Sequence, residues 1–196
     1  PQLHPILAPL PSLRYAQVSP SGPQERNPMI LGLMILGMSL SAFTQLHVAI
    51  SLIGIAAGFV VIVGMIASRT LPLVTALFLL TTALTSLTGF LFPFHGVTPG
   101  IVIGLLSCLI LVFALVARYA GHMVGGWRST WIVTAILAQY FNFFVLIVQS
   151  FEKVPALHAL APMQKEMPFT LTQLCALILF LGLAVLSLRK FHPAAR

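Results

Sequence analysis

Apolar residues fall along this chain in long runs, not in an alternating pattern. Four of these runs, Leu71 to Pro93, Pro99 to Ala120, Ser129 to Phe151 and Phe169 to Leu188, carry no charge except Arg118 near one end. Each is about as long as the 20 residues that a helix rising 1.5 Å per residue needs to cross a hydrocarbon core of roughly 30 Å. Polar breaks separate them: Ser68 to Thr70, Phe94 to Thr98, Gly121 to Gly126 and the longer Glu152 to Pro168. Ahead of them, Met29 to Ala67 is free of formal charge; as one straight helix it would reach roughly 58 Å, nearly twice the core. Its middle, Ser41 to Gln45, offers neither Gly nor Pro for a turn. A single span over 44–66 is therefore predicted, with a sixth helix over 29–44 as the alternative. The pattern specifies an all-α fold: a polytopic transmembrane helical bundle of five helices with spans at 44–66, 71–93, 99–120, 129–151 and 169–188.

Residues 1–28 are different in kind. Proline stands at 1, 5, 9, 11, 20, 23 and 28 with no periodic apolar pattern between. The segment reads as a disordered, Pro-rich leader outside a single helical domain over 29–196. Methionines at 29, 34 and 38 make an upstream start site a second explanation for it.

Composition agrees with the pattern. The chain is 59% apolar and 7% charged, whereas a soluble domain carries roughly a quarter charged residues. Its net charge of +7 would suggest nucleic acid in a soluble protein. Here the cations lie between apolar spans, so no nucleic-acid partner is implied; the partner is the lipid bilayer. Arg69, Arg118, Arg128, Arg189, Lys190 and Arg196 fall on one side without an acid, while Lys153 and Lys165 share the other with Glu152 and Glu166. By the positive-inside rule the first side is cytoplasmic, which places the C-terminus inside. Cys108 and Cys175 lie within apolar runs and say nothing about redox compartment.

Chemistry is harder to find. No Asp, Glu, Lys or Arg stands in the interior of a span, which argues against a proton-driven carboxylate transporter or a voltage sensor and disfavours a small-solute transporter. The polar residues at depth are Gln139, Asn142 and Gln149 on one face of the fourth span. They suit hydrogen bonding between helices, or alternatively a quinone or small polar ligand. His47, His95 and His158 fall on one side of the membrane and, with Glu152, Glu166 and Met163, supply donor types for a metal. His47 and His95 are the pair at matching depth that could hold a haem. No HxxxH or HxxH spacing joins them, and no nucleophile, phosphate-loop or dinucleotide motif is present, so the reading leans away from an enzyme.

Small residues supply the packing signal. Gly54 and Gly58 on the first span and Gly100 and Gly104 on the third form GxxxG pairs, which suit close helix packing or a homo-oligomer. Thr81, Thr85, Thr88 and Gly89 make a stripe on the second span, its hydroxyls suited to bonding their own helix carbonyls. Trp127, Trp131, Phe90, Phe92 and Phe94 sit where aromatic belts fall.

The runs Phe43-Thr-Gln-Leu-His47-Val-Ala-Ile-Ser, Leu87-Thr-Gly-Phe-Leu-Phe-Pro-Phe-His95, Ala117-Arg-Tyr119, Asn142-Phe-Phe-Val-Leu and Lys153-Val-Pro-Ala-Leu-His158-Ala-Leu-Ala-Pro162 resemble an uncharacterised family of small bacterial multi-helix integral membrane proteins. The resemblance spans about residues 38 to 194. It implies a bacterial inner membrane and a start near Met38, and no reaction. The expected function is that of a non-catalytic accessory or oligomeric membrane component. The alternative is a redox protein binding haem, metal or quinone through His47, His95, Gln139 and Asn142.

Overall fold

The computed structural model describes residues 34–93 and 99–192. The disordered leader expected over 1–28 lies outside the described residues. From Ile35 onward the chain forms one compact unit. Its elements are a minimal two-stranded ladder of β1 (Met34–Ile35) and β2 (Met38–Ser39), then α1 (Leu40–Ile66), α2 (Pro72–Gly89), α3 (Pro99–Leu115), α4 (Gly126–Lys153), the short α5 (Pro155–Leu160) and α6 (Met167–Lys190). A five-residue π-helical turn, Val116–Ala120, extends α3. Five of these helices are long and apolar enough to cross a membrane. The all-α polytopic bundle expected from the sequence is the observed fold.

The start of the first span is corrected. A sixth helix over 29–44 is incompatible with the described part of that range, because Leu36 and Gly37 both adopt positive φ, at 53° and 78°. Such a pair reverses the chain between two short strands and cannot sit within a helix. The helix begins at Leu40, four residues before the expected start, because Ser39 accepts a hydrogen bond from the Ala42 N–H at 3.3 Å and so caps it. With 27 residues, α1 is about 40 Å long, well over the hydrocarbon thickness.

The turns follow local chemistry. α1 ends in a Schellman motif: the Arg69 N–H reaches the Gly64 carbonyl at 2.8 Å and the Ser68 N–H reaches Met65 at 3.0 Å. Ser68 takes the left-handed position, φ 54°, that glycine usually fills. Pro72, whose φ is preset for a helix, opens α2. Gly125 precedes α4 at φ 55°, ψ −126°, a region only glycine occupies freely.

α4 is the central element, packing against α1, α3, α5 and α6, while α1 also contacts α2 and α6. Trp131, Ile132, Ala135, Ile136, Ala138 and Gln139 give α4 a continuous buried face. Against it α6 inserts Phe180, whose ring centroid lies 5.9 Å from Phe59, 5.6 Å from Tyr140 and 5.6 Å from Phe143. Rings at such spacing contribute about 1 kcal/mol each beyond the area they cover. At the C-terminal end the Arg128 guanidinium donates to the carbonyls of Leu188, at 3.1 Å, and Phe191, at 2.6 Å. A cation there satisfies acceptors that the end of α6 leaves open.

Candidate functional site

Two of the three polar side chains that the sequence places at depth, Gln139 and Asn142, reach into one seam between α1, α2 and α4, whereas Gln149 is exposed. Near the start of α1, half-buried His47 pairs through Nδ1 with the Thr88 hydroxyl at 2.7 Å, and Phe92 stands edge-on to its ring at 5.2 Å. The Thr88 hydroxyl donates to the carbonyl of Leu84 at 2.6 Å. With that proton on the Leu84 carbonyl, the hydroxyl oxygen accepts from His47 Nδ1–H and Nε2 keeps a lone pair; the other tautomer of His47 reverses the pair. One turn on, Ser51 donates to the His47 carbonyl at 2.7 Å and its oxygen lies 3.2 Å from the Thr85 hydroxyl, which acts as donor in that pair.

Deeper in the seam, Gln139 is fully buried and donates through Nε2 to the Ile55 carbonyl at 2.8 Å. Its Oε1 has no hydrogen-bond partner among the described residues and lies against the backbone of α1 at Gly58, where a Cβ would collide with it. Asn142 donates to the Thr82 hydroxyl at 3.0 Å. Gly54 plays on α2 the part that Gly58 plays on α4: a Cβ there would come within 2.9 Å of the Thr81 hydroxyl. Glycines on α1 thus let polar side chains of two neighbours reach its backbone, the close approach on which membrane helices depend. The threonines bond mainly to their own helix, Thr81 to the Leu77 carbonyl at 2.7 Å and Ser86 to Thr82 at 3.0 Å, the back-bonding suited to that stripe.

The same contacts show what the GxxxG glycines meet within the chain. Gly54 and Gly58 are closed by α2 and α4 of the same chain, and a Cβ on Gly104 would come within 2.9 Å of Phe90. Three of the four glycines are thus spent inside the bundle; Gly100 alone of the set is exposed. Small-xxx-small spacing reports that something approaches closely and leaves its identity open.

His95 lies outside the described residues. His47 is held by α2, and His158 is exposed on α5, in the loop between α4 and α6 that also carries Glu166. Among the described residues no three His, Cys, Asp or Glu side chains converge as metal ligands. Glu166 instead organises its own loop, its oxygens accepting from Met163 N at 3.1 Å and Lys165 N at 2.9 Å. Desolvation pushes its carboxyl up, but the backbone amides of Glu166, Lys165 and Met163 and the Coulombic effect of His158 together outweigh it and hold the group below its ordinary value. Gln164 fixes the same loop to α4, donating to the Val148 carbonyl at 3.1 Å.

A second polar cluster, at the opposite end of the bundle, was not anticipated from the sequence. The π-helical turn carries Arg118 over the ring of buried Trp131, 5.5 Å from its centroid, with Nη1 2.9 Å from the Met123 sulfur. A cleft of about 10 Å³ lies between α1, α2, α3 and α4, lined in part by Arg69, Thr70, Arg118, Trp131 and Phe191. Its sequence signal was the arginine at the end of the third span, read only as a topological marker. No protein-family model, no curated protein and no solved structure matches this chain.

Proposed function

We propose that this chain is a non-catalytic, multi-pass component of a bacterial inner membrane, an accessory or oligomeric subunit of the family its sequence resembles, with its C-terminus in the cytoplasm. One observation carries the reading: the amides at depth, Gln139 and Asn142, donate to α1 and α2 and so serve to join helices. Segregation of charge supports the orientation, with Arg69, Arg118, Arg128, Arg189 and Lys190 at one end of the bundle and Glu152 and Glu166 at the other. Crosslinking in intact membranes followed by native electrophoresis is expected to give an assembly above the 21.2 kDa of one chain. A monomer under every condition overturns the reading. Reporter fusions at Gly125 and Ala161 are expected on opposite sides, the first cytoplasmic; the same side for both overturns the span count.

His47 favours a second reading, a haem, metal or quinone protein. A ligating histidine ordinarily donates through one ring nitrogen to a neighbouring group and presents the other to the ligand, and the Thr88 contact, with Nδ1 protonated, sets His47 in that arrangement. The purified chain is expected to show no Soret absorbance and no stoichiometric metal. A Soret band lost on His47→Ala establishes the second reading in place of the first.

A further inference from the structure

The cleft at the C-terminal end has a chemistry that the polar seam does not explain. Two arginines from different elements converge on it: Arg69, fixed by the Schellman turn after α1, and Arg118, turned by the π-helical segment after α3. Thr70 also lines it, together with the apolar Val61, Met65 and Phe191. Its enclosed volume, about 10 Å³, is room for about one oxygen atom and not for a cofactor. Arg128, Arg189 and Lys190 add charge at the same end, and both described acids stand at the other. The cleft lies at the termini of membrane spans, the depth of lipid headgroups. At the same end of the bundle Leu73, 85% exposed, projects from the first turn of α2.

From this convergence we infer that the cleft binds the phosphate of an anionic phospholipid in the leaflet at the C-terminal end. One phosphate oxygen enters between Arg69 and Arg118, and Thr70 donates to a second. Guanidinium pairs suit phosphate because their planar forks donate to two oxygens at once. The inference rests on the chain spanning a membrane, and on no claim about catalysis or oligomerisation.

The test uses the full chain in nanodiscs of phosphatidylcholine alone or with about one-third phosphatidylglycerol, a share that gives a surface potential strong enough to act on each cation. Thermal unfolding and native mass spectrometry of retained lipid are the readouts. Phosphatidylglycerol is expected to raise the unfolding temperature and to be retained preferentially, with retention falling about fivefold for Arg69→Gln and again for Arg118→Gln. The Arg189→Gln/Lys190→Gln variant, which removes the same charge outside the cleft, is expected to keep both effects. Arg69 is exposed, so its single variant reports on binding even where loss of Arg118 from Trp131 disturbs folding. Equal loss in the Arg189/Lys190 variant overturns the site in favour of diffuse surface charge. Equal stabilisation by inorganic phosphate in neutral nanodiscs overturns the lipid as occupant, and no preference for phosphatidylglycerol in the unaltered chain overturns the inference altogether.

Discussion

Gly58→Leu is expected to destabilise the bundle by about 3 kcal/mol, the upper part of the range for overpacking a filled interior. The first atom of the new side chain would collide with the Gln139 amide, and Phe78 Cε2 closes the other side at 2.9 Å from it. Neither neighbour has room to retreat, since Phe78 is 1% exposed and Gln139 fully buried. α1 would have to move away from α4, breaking the Gln139 to Ile55 bond. Unfolding in mixed micelles by a denaturing detergent measures the loss. Gly182→Leu is the control: outside its own helix backbone, no atom of the described residues lies within 4 Å of a Cβ there, and a change under about 0.5 kcal/mol is expected, as for other surface positions. A double-mutant cycle sharpens the test, because Gln139→Ala should relieve much of the damage done by Gly58→Ala. Coupling above about 1 kcal/mol is expected for residues in direct contact; additive effects would show that the two helices separate for another reason.

Trp131→Ala is expected to cost about 3 kcal/mol, the lower end of what removing a large aromatic side chain from a packed core costs. The lower end applies because an unpacked tryptophan in a membrane still meets lipid, so the transfer part of the penalty shrinks and the void is what remains. Trp131 is 2% exposed and packs within the cluster of Val61, Met65, Leu111, Ala114 and Phe191. Its loss would leave Arg118 above a hole. Trp131→Phe keeps a ring under the guanidinium and is expected to recover more than half the stability. Equal unfolding for the Ala and Phe variants would show that the ring face beneath Arg118 contributes nothing.

Much of this architecture is legible in the sequence because membrane helices announce themselves by length and lack of charge. Both measures are local, and the bilayer supplies the context that a soluble core would have to. The start of α1 was misplaced because apolarity is uniform from Met29 onward, so the boundary depends on two small signals within it: the Leu36-Gly37 reversal and the Ser39 cap. The seam was half legible. Helical spacing puts Gln139 and Asn142 on one side of α4, and the threonines on one side of α2, but no periodicity says which side faces which helix. The same gap explains the glycines, whose spacing suits a second copy and a neighbouring helix equally. Arg118 and Trp131 were read as an interface marker and a belt residue because each alone fits that role. Only the π-helical turn, which rotates Arg118 onto the ring, joins them.

The contact between Ser68 and His192 fixes an order of events during synthesis. The Ser68 hydroxyl, in the loop that closes the first helical hairpin, accepts a hydrogen bond at 2.9 Å from the backbone of His192, 124 positions later in the chain. The first turn is thus completed by a segment synthesised 124 positions later. Until α6 has entered the bilayer, α1 and α2 are present without that latch, and Arg128 waits for the carbonyls of Leu188 and Phe191. A chain interrupted before α6 would therefore lack both latches at once, leaving a surveillance protease an open corner that the finished protein does not offer.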